Sequence, residues 1–152
     1  LNVGDSFFAR NAAGSRGGAI CVLEDSDVSV STTRFEQNSG GDMGGAMLVE
    51  DVLAVAIEAG CDFEANSAAD GGALAVRYIS TGVEPTFTNS TFTRNLCVPT
   101  ADVADTSGGA LSLYSAGAPR VEGCAFERNE AASGGAISAI AKTDLRLESS
   151  TL

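Results

Sequence analysis

The 152-residue chain lacks histidine and tryptophan, contains one lysine, Lys142, and is only 6% aromatic. Without histidine, a histidine-based catalytic triad or a histidine general base is excluded. The shortage of large rings argues against a conventional core built around them. The 18 glycines point instead to many tight turns and to side chains packed closely against backbone.

The charge is strongly one-sided, because 20 acidic and 9 basic residues give a formal net charge of −11. A protein that neutralises phosphates needs clustered lysine and arginine, so we expect neither nucleic acid nor an anionic membrane surface as a partner. No run of 18 apolar residues occurs, and we therefore expect no direct membrane insertion. Solvated edges explain the acidic excess most simply, and an acidic face that binds Ca²⁺ or basic partners is the alternative.

Two linked motifs recur five times along the chain. The first, F-x-x-N, consists of Phe8 and Asn11, Phe35 and Asn38, Phe63 and Asn66, Phe92 and Asn95, and Phe126 and Asn129. The second, Gly-Gly-Ala followed by Ile, Met or Leu, begins at Gly17, Gly44, Gly71, Gly108 and Gly134. Successive motif phenylalanines are 27, 28, 29 and 34 residues apart. This spacing is typical of a repeat protein.

Within a repeat, apolar residues alternate at a period of two, as at Val28 and Val30 or Met47 and Val49. Three such short bursts per repeat predict three short strands, each with one buried face. These strands become stable when each pairs in parallel with its counterpart one repeat away, at about 4.8 Å. The sequence therefore predicts an all-β fold, a right-handed parallel β-helix solenoid of about five coils of about 27 residues spanning 1–152. The handedness is inferred from the general preference of parallel β connections.

Stacking of the coils would place like residues in columns. The five motif phenylalanines would form one interior column, and the five motif asparagines would form another at a corner. There, each amide could bond neighbouring backbone and the next asparagine. Two more apolar columns are expected, one of Ile20, Met47, Leu74, Leu111 and Ile137, and one of Val22, Val49, Val76, Leu113 and Ala139.

F-x-x-N followed by G-G-A-[ILM] resembles the repeat of chlamydial polymorphic outer membrane proteins, which are surface adhesins. Related repeats occur in large predicted surface proteins of algae and other protists. The resemblance covers nearly the whole chain, roughly 1–152. It implies a pectin-lyase-like β-helix displayed outside the cell.

Two insertions interrupt the repeat, at 77–84 and 96–107, and insertions in solenoids form loops on one face that is often a binding face. They are equally compatible with surface decoration. Leu1 and Val3 match Val28 and Val30, and Leu145 and Leu147 match the start of a further coil. We therefore expect an interior segment of a longer solenoid.

The four cysteines, Cys21, Cys61, Cys97 and Cys124, include no C-x-x-C pair, which makes a zinc or iron–sulfur site improbable. Cys61 and Cys124 are expected to point inward as free thiols, about 10 Å apart and too far for a disulfide. Cys97, in the longer insertion, is the candidate tether for that loop. Its partner cannot be named from the sequence.

Paired carboxylates are the remaining catalytic option, since glycosidases use two of them about 5–10 Å apart. Glu36 and Glu64 should be neighbours in adjacent coils. A second acidic group comprises Glu24, Asp25, Asp27, Glu50 and Asp51. These positions are outward or in turns, so a solvated face is favoured over a catalytic pair or a calcium site.

Asn89-Ser90-Thr91 is an N-glycosylation sequon, with Asn89 expected to face outward on its strand. Such a sequon is relevant only if the chain is secreted from a eukaryotic cell. Tyr78 and Tyr114 follow the Gly-Gly-Ala strands of adjacent coils and could form a small sugar-binding patch, although edge packing explains them more simply.

These observations favour a non-catalytic structural or adhesive module of an extracellular or cell-surface protein, without a cofactor. Its expected partners are other protein chains, further repeats of the same chain, or glycans. Two alternatives stay open. One is a carbohydrate-active β-helix enzyme, which needs a cleft with convergent acids, and the other is a Ca²⁺-dependent binding module.

Overall fold

The structure is a computed structural model that describes residues 1–24, 26–80, 82–101, 103–104 and 106–152. Within these ranges the regular secondary structure consists of 18 short β-strands. Asp25 of the acidic group and three positions within the two insertions lie outside the described residues.

The described strands form three large sheets and one small sheet. The first sheet contains β1 (Asn2–Gly4), β4 (Asp27–Ser31), β7 (Ala54–Ile57), β11 (Thr86–Thr88), β15 (Arg120–Glu122) and β18 (Arg146–Glu148). The second contains β2 (Phe7–Ala9), β5 (Arg34–Glu36), β8 (Asp62–Glu64), β12 (Thr91–Thr93) and β16 (Ala125–Glu127). The third contains β3 (Ile20–Leu23), β6 (Met47–Glu50), β10 (Leu74–Arg77), β14 (Leu111–Tyr114) and β17 (Ile137–Ile140). The small sheet pairs β9 (Ser67–Ala68) with β13 (Leu96–Cys97).

Each strand pairs in parallel with the equivalent strand of the next coil. Phe8 pairs with Phe35, and Val22 pairs with Val49, in the register that the repeat predicts. The all-β parallel solenoid of about five coils is therefore confirmed, with one strand of every coil in each large sheet. The right-handed sense stays a prediction.

The interior is filled by columns of like side chains. The five motif phenylalanines stack with ring centroids 4.8 to 5.1 Å apart and ring planes within 8° of parallel. Phe35, Phe63 and Phe92 are fully buried. Burying such a ring stabilises the fold by about 1.5–3 kcal/mol, and each stacked pair contributes about 0.5–1.5 kcal/mol more. Phe87 fills a place held by Ile57 and Val121 in the neighbouring coils.

A continuous ladder of asparagines runs along the corner between the second and third sheets. The Oδ1 atom of Asn66 accepts hydrogen bonds from the backbone N of Asn38 at 2.9 Å and from its Nδ2 at 3.0 Å. The Nδ2 atom of Asn66 in turn donates to Asn95 Oδ1 at 3.1 Å and to Phe35 O at 3.0 Å. The same pattern links Asn11 to Asn38 and Asn95 to Asn129. The amides thereby satisfy backbone groups that the bend leaves without strand partners.

The corners are made by single residues with positive φ that are mostly not glycine. The residue before each ladder asparagine has φ between 53° and 56°, and these residues are Arg10, Gln37, Ala65, Arg94 and Arg128. A left-handed conformation costs an L-residue about 1–2 kcal/mol. The hydrogen bonds of the adjacent asparagine offset this strain.

The two glycines of each Gly-Gly-Ala motif have different roles. The first has φ between 57° and 65°, which favours glycine. The second lies against the next coil, and a Cβ added to Gly72 would be 2.1 Å from Gly109 O. Successive coils therefore make direct backbone contact at this bend.

Replacing Asn66 with alanine is expected to lower the free energy of unfolding by about 3 kcal/mol, since buried partners on both sides lose their hydrogen bonds. The matched control is Asn11→Ala, at an exposed rung whose side chain makes one such bond, with an expected loss of about 1 kcal/mol. Denaturant unfolding followed by circular dichroism measures both. Equal losses would contradict the role assigned to the ladder.

Gly72→Ala is expected to destabilise the protein by about 3 kcal/mol or more, because backbone must move to admit the methyl group. Gly14→Ala is the control, since a Cβ there meets no atom within 4 Å, and its effect should be within about 0.5 kcal/mol. Thermal and denaturant unfolding of both variants tests this. A Gly72→Ala protein as stable as the original chain would show that the coils can separate at the bend.

Candidate functional site

The outer face of the second sheet carries a network of charged side chains centred on Arg34. Its Nη2 atom lies 3.1 Å from Glu36 Oε2 and 2.5 Å from Glu64 Oε2, and its Nε atom lies 3.5 Å from Asp62 Oδ2. Arg94 contacts the other oxygen of Glu64. Arg34 is 47% exposed, so solvent weakens each pair to the small contribution usual for surface ion pairs.

Glu36 and Glu64 lie opposite each other in adjacent coils, as their register shows. Arg34 lies between them and contacts both carboxylates. The single guanidinium offsets the repulsion between the two carboxylates, which explains how like charges can be neighbours on one face. In the second acidic group, Glu50 is similarly placed 3.6 Å from Arg16.

The outer face of the third sheet carries a cluster that we call the Tyr–Arg cluster, formed by Glu50, Arg77, Tyr78 and Tyr114. The two tyrosine rings are 5.4 Å apart in an edge-to-face arrangement, and the Arg77 Cζ atom is 5.2 Å from each ring centroid. Arg77 Nη1 lies 3.9 Å from Glu50 Oε2. Tyr78 is 47% exposed, so one ring of the cluster is open to solvent.

The Tyr–Arg cluster also contains two buried polar atoms, Glu50 Oε2 and Arg77 Nε, that have no hydrogen-bond partner among the described residues. Tyr78 has φ of 53°, which is uncommon for a bulky residue. Its equivalents in the neighbouring coils, Asp51 and Ser115, have φ of 56° and 51°, so the conformation belongs to the corner after the third sheet.

The longer insertion, 96–107, is attached to the solenoid at several points. It begins as β13, Thr100 Oγ1 donates to Asp42 Oδ1 at 3.0 Å, and Thr106 Oγ1 accepts from Ala132 N at 3.0 Å. Asp42 lies two coils away from the insertion, which therefore bridges several coils at one corner. Val98 is nevertheless 46% exposed, so the segment presents apolar surface to solvent.

The shorter insertion, 77–84, starts with Arg77 as the last residue of β10. Ile79 is 6% exposed and packs into the core, whereas Val83 N donates to Ser80 O at 3.2 Å in a local turn. The described part of this insertion therefore combines one buried anchor with the exposed Tyr78.

All four cysteines lie in the described part of the chain and are free thiols. The Cys97 Sγ atom lies 3.4 Å from Ser107 O and 3.3 Å from Gly108 O, so its single S–H makes a weak hydrogen bond shared between them and joins the two ends of the longer insertion. Burial raises the pKa of Cys97 to about 11. Desolvation also raises the pKa of the buried Cys61 and Cys124 thiols and of Cys21, which is exposed.

Cys61 and Cys124 occupy a column in which the other coils place hydroxyl groups. Thr33 and Ser90 donate from this column to carbonyl oxygens two residues earlier, at 2.7 and 2.9 Å. The Cys124 thiol makes the longer contact to Glu122 O at 3.6 Å. The two cysteines thus act as buried substitutes for hydroxyl groups at a turn.

Asn89 is exposed in the turn between β11 and β12, outside the asparagine ladder. Its backbone N donates to Glu122 O at 2.9 Å, and its O accepts from Gly60 N at 3.1 Å. Its side chain is therefore not required to complete the backbone pairing of the turn.

Among the described residues, no group of three or more Cys, Asp or Glu side chains is arranged to hold a metal ion, and no enclosed pocket is found. The described residues contain no helix long and apolar enough to cross a membrane.

Comparison of the chain with protein-family models, with curated proteins and with solved structures finds no match. The resemblance to the polymorphic outer membrane protein repeat therefore depends on its two motifs alone.

Sequence reasoning did not identify Arg34, Arg77 or Thr100 as organising residues. The register that pairs Arg34 with Asp62 was available from the repeat and could have indicated the charged network. The contact of Thr100 with Asp42 had no signal in the sequence, since it depends on the path of the insertion.

Thiol reactivity should separate Cys21 from the other three cysteines. At pH 8 we expect one thiol of the native protein to react rapidly with a chromogenic disulfide reagent, because Cys21 is exposed and the other three are buried. All four should react after unfolding. Cys21→Ser should abolish the fast phase, whereas the control Cys61→Ser should preserve it, and more than one fast thiol would contradict the burial described above.

Proposed function

We propose that this chain is a non-catalytic structural or adhesive module of a cell-surface protein, serving as a scaffold, filament or adhesin arm. The observation that carries the proposal is the unbroken coil-to-coil ladder, in which Asn38, Asn66 and Asn95 are fully buried rungs beside stacked phenylalanines. Such ladders resist bending because each rung is bonded to both neighbours. Stiffness is the property that a spacer or display arm requires.

The outer surface supports a role in contact with other molecules. Val98 in the longer insertion and Tyr78 in the shorter one are exposed apolar side chains on segments anchored to the solenoid. An anchored segment loses less conformational entropy on binding than a free loop does. The proposed partners are protein chains, further repeats, or glycans.

The resemblance to the chlamydial repeat supports the finer part of the proposal, a right-handed, pectin-lyase-like β-helix outside the cell. Its double motif coincides with the ladder and the Gly-Gly bend, which are the two elements that fix the coil.

A carbohydrate-active enzyme is the second candidate, and the Tyr–Arg cluster favours it. An exposed tyrosine beside a carboxylate and a guanidinium offers a sugar both a stacking surface and hydrogen-bond partners. A Ca²⁺-dependent binding module is the third, and it would be recognised by a Tm that rises with calcium.

Adhesion of chain-coated beads to intact cells of the source organism tests the proposal. We expect the original chain to mediate adhesion and Val98→Asp to reduce it severalfold, because a charge replaces apolar contact area. Leu53→Asp is the matched control, since Leu53 is 49% exposed but lies outside both insertions. Its adhesion should equal that of the original chain.

The same preparations are incubated with a panel of acidic and neutral polysaccharides. Release of reducing ends or unsaturated sugars would replace the adhesive proposal with the enzymatic one. Absence of adhesion, together with staining by an antibody to the chain only in permeabilised cells, would overturn display at the surface.

A further inference from the structure

The turn between the first and second sheets presents an unusual column of residues. In successive coils this position is held by Asp5, Thr32, Gly60, Asn89, Gly123 and Ser149, all with positive φ. Asn89 is thus flanked by Gly60 in the coil before and Gly123 in the coil after. The hydrogen bond from Gly60 N to Asn89 O fixes this alignment.

The two glycines leave the Asn89 side chain without side-chain neighbours in its own column. A Cβ added to Gly123 would be 2.4 Å from Asn89 Oδ1, so the carboxamide lies over the bare backbone of Gly123. A Cβ added to Gly60 would meet Thr32 atoms at 3.5 Å, which is ordinary contact. Space beside the Asn89 amide is therefore created by the absence of a side chain at Gly123, whereas a side chain at Gly60 would face Thr32.

Asn89 also differs from the ladder asparagines in what its amide does. Asn38, Asn66 and Asn95 are fully buried and use their amides between coils, whereas Asn89 is exposed. A substituent on its nitrogen would extend into solvent without breaking the ladder. Asn tolerates the left-handed conformation that the turn needs.

We propose that Asn89 is a site of N-linked glycosylation. The chain supplies the acceptor triplet Asn89-Ser90-Thr91, whose middle residue is not proline. Thr91 is exposed, and its hydroxyl donates to Asp62 Oδ1 at 2.7 Å in the folded state. In the transfer, Nδ2 of Asn89 bonds to the anomeric carbon of a lipid-pyrophosphate-linked oligosaccharide. The bond from that carbon to the pyrophosphate oxygen breaks, and Nδ2 loses one proton.

The glycan would stand at the edge between the first and second sheets. Phe87 and Phe92 on either side of the turn are fully buried, so the adjoining strands stay anchored when the amide is substituted. The attached sugar would shield this edge from protein contacts and leave the two insertions, with the exposed Tyr78 and Val98, as accessible surface.

Glycosylation of Asn89 in the natural protein rests on the proposed display outside the cell. The test does not depend on that display, because a signal peptide is added to the chain. The chain is secreted from a eukaryotic host and digested, and its peptides are analysed by mass spectrometry before and after release of glycan with an amidase. We expect one modified peptide, with Asn89 converted to Asp on release. Asn89→Gln and Thr91→Val should abolish the modification, and Thr91→Ser should retain it.

A second measurement asks whether the folded chain accommodates the glycan. The secreted glycosylated chain and the Asn89→Gln chain should melt within about 2 °C of each other, since substitution of an exposed side chain outside the ladder has little effect on stability. An unmodified Asn89 in the secreted protein would overturn the proposal. So would a modified chain that is retained in the cell or melts well below the Asn89→Gln variant. If Asn89 is glycosylated but the chain does not mediate adhesion, the proposed function is contradicted and the glycosylation site is not.

Discussion

The parallel pairing of each coil with the next is the constraint on which the rest of the structure depends. It brings each position opposite its own equivalent, so that a residue type must be compatible with a copy of itself at one strand spacing, about 4.8 Å. Phenylalanine meets this condition by stacking, and asparagine meets it because its amide both donates and accepts. Two carboxylates do not meet this condition by themselves, because like charges repel at this distance. Arg34 lies between Glu36 and Glu64 and contacts both.

The periodic part of the fold could be predicted because this constraint is written into the sequence at a fixed interval. The phenylalanine, asparagine and glycine positions all follow from aligning the repeats, and so does the division of each coil into three strands. The corner residues could not be predicted in the same way. Arg10, Gln37, Ala65 and Tyr78 adopt positive φ although nothing in their chemistry favours it. Their conformation is imposed by the residues on either side, which are hydrogen-bonded to adjacent coils.

The candidate surfaces were less predictable than the interior. The inward direction of Cys61 follows from its alignment with Thr33 and Ser90 in the neighbouring coils. Asn89 is exposed, but in a turn with positive φ that alternation along a strand does not predict. The Tyr–Arg cluster and the attachment of Thr100 to Asp42 depend on where long side chains and insertions cross between coils. Those paths have no period, and aligning the repeats therefore gives no information about them.

The asparagine ladder has a direction. In each hydrogen bond between ladder asparagines, the Nδ2 atom of one coil donates to Oδ1 of the coil that follows, so these side-chain bonds all run in the same sense along the axis. A coil inserted or duplicated as a whole unit would join this array without disturbing it, while a coil in the opposite orientation would set donor against donor. The solenoid can therefore change in length by whole repeats but cannot reverse its polarity.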